Sequence, residues 1–124
     1  MTKKRVLIVE DDTVQNRFFE HVVSKVNAKS HLVTTGKDAL KYLQVNNDIG
    51  LVLLDLSLPD MGGLKVLEEL KKMGNKVPVA ILSASKDSND IIEASLLGAV
   101  DFFTKGKDDL MKLFEFIDEM INSN

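Results

Sequence analysis

The stretch Leu51-Val52-Leu53-Leu54-Asp55 is four consecutive apolar residues closed by an acid. A strand without polar alternation is buried on both faces, the condition of a parallel sheet covered by helices. Three other stretches are built the same way. Val6-Leu7-Ile8-Val9 runs into Glu10-Asp11-Asp12, Val79-Ala80-Ile81-Leu82 into Ser83, and Phe102-Phe103-Thr104 into Lys105. Drawn as parallel strands, all four deliver their polar groups to one edge of one sheet, the edge at which open α/β sheets bind ligands.

Working outward, helical segments separate the strands. Phe18, Phe19, Val22, Val23 and Val26 follow the first strand (5–9) at helical spacing. A second strand over 30–35 is more polar and contains His31, which suits a sheet edge. Gly36 opens a short helix with Ala39, Leu40 and Leu43, and Gly63 precedes one with Leu64, Leu67 and Leu70. Gly74 and Pro78 break the chain before the strand at 79–83. A helix over 88–97 stops at Gly98, a left-handed C-cap residue. After the strand at 101–104, a last helix from Lys107 has an apolar stripe of Leu110, Leu113, Phe114, Ile117, Met120 and Ile121. Phe116 falls off that stripe and is expected to be an exposed aromatic, available for partner contact.

This alternation predicts an α/β fold with right-handed crossovers. The two less uniform strands belong at the edges. The result is a doubly wound, five-stranded parallel sheet in the flavodoxin-like order 2-1-3-4-5, with five helices. The 124 residues are expected to form one domain over 1–124.

Composition excludes several classes of function. The absence of cysteine removes disulfides, thiolate catalysis and cysteine–metal sites. A net charge of −3 favours neither nucleic acid nor an anionic membrane as partner. No apolar stretch approaches membrane-spanning length, and no signal-type apolar stretch follows the basic start before Glu10. The protein is read as cytoplasmic.

In order 2-1-3-4-5 the winding reverses between the first and third strands, so Glu10, Asp11 and Asp55 flank the switch-point crevice. Carboxylates this close raise one another's pKa unless a cation intervenes. Oxygen-only ligands favour Mg2+, which often bridges a carboxylate to a phosphate. Phosphoryl transfer asks a protein mainly for positioning and charge stabilisation. Asp55 is placed to be the nucleophile, Ser83 to donate a hydrogen bond to a phosphoryl oxygen, and Lys105 to supply a point charge. Asp12 fits either the acidic cluster or a helix cap. His21 and His31 have no metal-like partner and read as structural or solvated.

The carriers Val9-Glu10-Asp11-Asp12, Leu54-Asp55-Leu56-Ser57-Leu58-Pro59-Asp60-Met61-Gly62-Gly63, Leu82-Ser83-Ala84, Gly98-Ala99-Val100-Asp101-Phe102 and Lys105 together resemble the receiver domain of two-component response regulators, the chemotaxis-regulator-like family. The resemblance implies that Asp55 accepts phosphate from a sensor histidine kinase or phosphotransfer protein. It implies that Asp11 and Asp55 ligate Mg2+, with Glu10 helping through water and the Ser57 carbonyl as a further ligand. Ser83 and Phe102 resemble the family's switch pair. The surface of the fourth helix, fifth strand and fifth helix would carry the signal to a downstream effector protein or to a C-terminal output domain outside these residues. The implied protein is a phosphoacceptor that promotes its own phosphorylation and dephosphorylation, a monomer whose phosphorylated form has a dimer as its alternative.

One position departs from the family pattern: Gly106 replaces the proline expected after the lysine, so a trans Lys105–Gly106 peptide is expected. Ser57 and Ser85, which the pattern places beside the phosphoryl group, are small and polar and would leave water free access. The rival readings are a degenerate receiver that binds partners without phosphate, an Mg2+-dependent phosphohydrolase, and a flavin or nucleotide carrier. The phosphohydrolase lacks an acid two residues after Asp55, where Ser57 stands. The carrier would need a phosphate loop where three acids stand, and no G-x-x-x-x-G-K-[ST] sequence occurs.

Overall fold

A computed structural model describes residues 5–106 and 109–122. The chain runs β1 (Arg5–Val9), α1 (Thr13–Lys25), β2 (Lys29–Val33), α2 (Gly36–Val45), β3 (Ile49–Asp55), α3 (Gly63–Lys72), β4 (Val79–Ser83), α4 (Ser88–Leu96), β5 (Asp101–Thr104) and α5 (Leu110–Asn122). All strand pairs are parallel, in the order β2-β1-β3-β4-β5. This is the expected doubly wound sheet.

Successive strand residues feed opposite faces, so the unbroken apolar runs build two cores. Val6, Ile8, Leu51, Leu53, Ala80, Leu82 and Phe103 pack under α1 and α5. Leu7, Val9, Val52, Leu54, Val79 and Ile81 pack under α2, α3 and α4. The central strands are fully apolar because both faces are covered. The edge strand β2 is only half-buried, as its mixed composition requires.

Three boundaries differ from the sequence reading. β2 ends at Val33 because Thr35 leaves the sheet to cap α2, its side chain accepting from the Asp38 amide at 3.0 Å. β3 begins earlier, with Ile49 paired to Arg5 across an irregular register step. α4 closes at Leu96, and Gly98 has φ +99, the left-handed conformation expected of it. The expected start of the last helix at Lys107 lies outside the described residues, and α5 is continuous from Leu110. Phe116 is a correction. It is half-buried, with its ring 5.2 Å from that of Phe103, so it helps close α5 onto β5. Asp12 is the N-cap of α1, with Oδ1 accepting from the Val14 and Gln15 amides.

Two glycines press the α2–α3 side of the fold together, with unequal consequences. A Cβ on Gly63 would lie 2.5 Å from the Asp55 carbonyl oxygen and 2.9 Å from the Leu56 Cα, both backbone atoms that cannot rotate away. A Cβ on Gly36 would meet the Met61 side chain at 2.5 Å and the Val66 side chain at 2.8 Å. Met61 is flexible and can swing aside. Gly63→Ala is therefore expected to destabilise by about 3 kcal/mol, the upper part of the overpacking range, and Gly36→Ala by about 1 kcal/mol. Urea unfolding of the two variants checks the order, and equal midpoints would contradict it.

Candidate functional site

Strand register sets the site. Val9 pairs with Leu54, Asp55 with Leu82, and Ser83 with Thr104. Glu10 is therefore level with Asp55, and Lys105 lies one step beyond Ser83 at the same edge. One oxygen from each of Glu10, Asp11 and Asp55 lies within 4.8 Å of the others. Glu10 and Asp55 are buried, at 1% and 4% exposure, whereas Asp11 is exposed and forms the solvent side of the cluster.

The Lys105 ammonium lies 2.5 Å from Glu10 Oε1 and 3.1 Å from Asp55 Oδ1. Burial works to lower the lysine's pKa, but its hydrogen bonds and charge interactions with the two acids outweigh burial and raise it. Burial raises the Glu10 pKa, and Asp55 adds to the effect while Lys105 opposes it. The remaining contacts fix orientation. Glu10 Oε2 accepts from the Asp12 amide at 3.3 Å, and Asp55 Oδ1 from the Ser57 amide at 3.2 Å.

A lysine thus stands between two of the three acids. It does not close the cluster, because its partners are Glu10 and Asp55 and not the exposed Asp11. The donor set is entirely carboxylate oxygen, open to water on one side, which fits a hard divalent cation that retains water ligands. Glu10, Asp11 and Asp55 are the residues that would hold it.

Ser83 is buried at the end of β4, where its hydroxyl accepts from the Ser85 amide at 3.3 Å and its carbonyl from the Lys105 amide at 2.7 Å. Ser57 is exposed two residues after Asp55. Phe102 is half-buried against the core under α2, α3 and α4. The Lys105–Gly106 peptide is trans. His21 is exposed on α1, and His31 stacks on Tyr42 with ring centroids 4.0 Å apart.

Two aspartates near the site escaped the sequence reading. Asp60, in the loop after β3, accepts from the Gly36 amide through Oδ1 and from the Lys37 amide through Oδ2, both at 2.9 Å. These backbone hydrogen bonds, Lys37 first, hold its pKa below the ordinary value and tie the loop after Asp55 to the start of α2. Asp109 accepts twice through Oδ2, from the Thr104 amide and the Thr104 hydroxyl, both at 2.8 Å. The Thr104 amide is the first cause of a lowered Asp109 pKa. The sequence signal for Asp109 was an acid just before an apolar helical run. Asp60 had only its place in a turn-rich stretch.

The family model of the response regulator receiver domain matches residues 6–115. The chain belongs to that family. This receiver is 35% identical over 114 residues to Regulator of RpoS from Escherichia coli (strain K12), a match covering 92% of this chain and 34% of that protein. It is 30% identical over 122 residues to the Glycerol metabolism activator of Pseudomonas putida, covering 97% and 55%. The receiver thus spans well under two thirds of either relative. Among solved structures, the phosphorylated cyanobacterial phytochrome response regulator RcpA aligns with TM-score 0.82 and 28% identity, over 98% of this chain and 96% of that one. The Mn(2+)-bound response regulator Rcp1 aligns with TM-score 0.81 and 27% identity, again over 98% and 96%. Receiver domains are modules of two-component signalling that bind Mg2+ at an acidic pocket and interact with histidine kinases and effectors. Among the described residues, no helix is long and apolar enough to cross a membrane.

Proposed function

We propose that residues 1–124 form one receiver that works as a phosphorylation-controlled switch, with Asp55 as the phosphoacceptor. The observation that supports this most is the convergence of Glu10, Asp11 and Asp55 within 4.8 Å, with the Lys105 ammonium 3.1 Å from Asp55. A carboxylate oxygen of Asp55 attacks the phosphorus of a phosphohistidine on a sensor kinase or phosphotransfer protein. The phosphorus–nitrogen bond breaks, the released imidazole nitrogen takes up a proton, and Asp55 becomes an acyl phosphate. Asp11, Asp55 and the Ser57 carbonyl, with Glu10 helping through water, would hold Mg2+, which would supply positive charge against the acids and the incoming phosphoryl group. Lys105 supplies a second positive charge at Asp55, and the Ser83 hydroxyl donates to a phosphoryl oxygen. Water attacking phosphorus then breaks its bond to the Asp55 oxygen, which releases inorganic phosphate and regenerates the carboxylate.

Phosphorylation adds charge and strong acceptor oxygens, which draw Ser83 and then the Phe102 ring inward. That movement changes the face of α4, β5 and α5 and alters the binding of a downstream protein or an output domain. The protein acts in the cytoplasm as a monomer when unphosphorylated. It is a phosphoacceptor rather than a turnover enzyme.

Intact mass after incubation with acetyl phosphate and Mg2+ tests the reading. A gain of one phosphate, absent in chelator, is the expected result. No gain from acetyl phosphate or from phosphoramidate would leave the degenerate receiver, which binds partners without phosphate.

A further inference from the structure

Asp109 is a buried carboxylate that the chemistry above does not use, at 5% exposure. We infer that it is a positioning residue for Lys105, anchoring the end of β5 through Thr104 so that the ammonium is held over Asp55. The inference rests on the phosphoacceptor reading of Asp55.

An ammonium on a flexible four-carbon stem is placed only as well as the backbone that bears it. The Lys105 amide is held by the Ser83 carbonyl, which fixes one side of the residue. The amide of the preceding Thr104 goes to Asp109 Oδ2 instead of a strand carbonyl, and the Thr104 hydroxyl joins it there. One carboxylate oxygen thus takes two charge-assisted hydrogen bonds from Thr104, the residue immediately before Lys105.

Gly106 gives this anchor its importance. A Cβ there would meet nothing within 4 Å, so space does not demand a glycine, and a glycine adds no backbone stiffness next to Lys105. Proline would set a backbone angle at this position. In this chain the Asp109 carboxylate supplies the restraint through Thr104. Lys86, in the loop leaving Ser83, lies 3.7 Å from the same Oδ2 but is 58% exposed, and such ion pairs contribute little. The hydrogen bonds to Thr104 therefore carry the positioning.

The test follows phosphorylation by acetyl phosphate with time, by intact mass. Apparent Mg2+ affinity is measured in parallel from the dependence of the melting temperature on Mg2+. Asp109→Ala is expected to slow phosphorylation about tenfold while the Mg2+ midpoint stays within about twofold of the parent, because Glu10, Asp11 and Asp55 are untouched. Asp109→Asn keeps an acceptor oxygen for Thr104 and should return to within roughly threefold of the parent rate. Lys86→Gln should leave the rate unchanged. A role limited to general stability would move the Mg2+ midpoint together with the rate. Such a joint shift, a parental rate in Asp109→Ala, or an Asn variant no better than Ala would overturn the inference. If Asp109→Ala does not fold, Thr104→Val removes one donor and keeps the backbone bond. It should slow the reaction roughly threefold, and a parental rate there overturns the inference equally. A parent that takes no phosphate would sink the phosphoacceptor reading and this inference with it. A phosphorylating parent beside an unaffected Asp109→Ala would sink the positioning role only.

Discussion

Asp55→Asn is expected to take up no phosphate from acetyl phosphate, at any Mg2+ concentration, on the time scale over which the parent gains a full equivalent. The reaction needs an anionic oxygen to attack phosphorus, and a carboxamide offers none at neutral pH. The variant should fold almost as well as the parent. Glu10, the more deeply buried acid, keeps its Lys105 ammonium at 2.5 Å, and the repulsion between Glu10 and Asp55 disappears. The change in stability should therefore lie within about 1 kcal/mol, the range of a modest polar substitution. Mg2+ affinity should fall, because one of three converging carboxylates has lost its charge. Intact mass, urea unfolding and an Mg2+ titration of the melting temperature read the three effects separately. A phosphate gain that persists in the variant would move the acceptor to another acid at this edge, Asp11 or Glu10.

Much of this site was legible because strand ends are marked by chemistry. In β1, β3 and β4 the apolar run stops where the sheet stops, so the closing residues Glu10, Asp55 and Ser83 were assigned to one edge without a structure. The weaker apolarity of β2 and β5 assigned them to the edges, and the order 2-1-3-4-5 meets that together with right-handed crossovers. Which charge would meet which was not legible. That depends on register: Val9 opposite Leu54 makes Glu10 level with Asp55 and offers Lys105 both acids at once.

Asp60 and Asp109 were missed for a different reason. Their main partners are backbone amides, which every non-proline residue carries, so no side-chain pattern marks the pairing. Thr34 and Thr35 suit a strand by propensity, and only the hydrogen bond that the Asp38 amide donates to the Thr35 hydroxyl oxygen decides that the chain has turned into a helix cap. Phe116 is off the helical stripe, yet α5 lies beside the short edge strand β5, where a ring outside the stripe still reaches Phe103.

The second large effect is expected when the ammonium is removed. Lys105→Met keeps most of the stem and deletes the charge, leaving Glu10 and Asp55 adjacent, buried and without their cation. Breaking a buried pair by removing one partner costs about 3–5 kcal/mol. The protein has a cheaper escape, which is to protonate Glu10, whose pKa burial already raises and whose one opposing influence in the parent is Lys105. Neutralising a glutamate of ordinary pKa near 4.3 costs about 3.7 kcal/mol at pH 7 and about 1 kcal/mol at pH 5. The smaller cost sets the outcome. In chelator the variant should be less stable than the parent by about 3 kcal/mol at pH 7, and the gap should narrow toward about 1 kcal/mol at pH 5. The sign follows from linkage. A carboxyl whose folded pKa is raised loses stability as pH rises above its unfolded value, and the variant has the more strongly raised Glu10. Mg2+ should then rescue the variant more than the parent, because the metal no longer competes with an ammonium for the same oxygens. The melting temperature in chelator at pH 7 should drop by about 10 °C and recover with millimolar Mg2+, while phosphorylation stays impaired for want of the point charge at Asp55. Parent and variant melting together in chelator at pH 7 would mean that Lys105 does not bridge the acids in solution, and the geometry on which the phosphoacceptor reading rests would have to be redrawn.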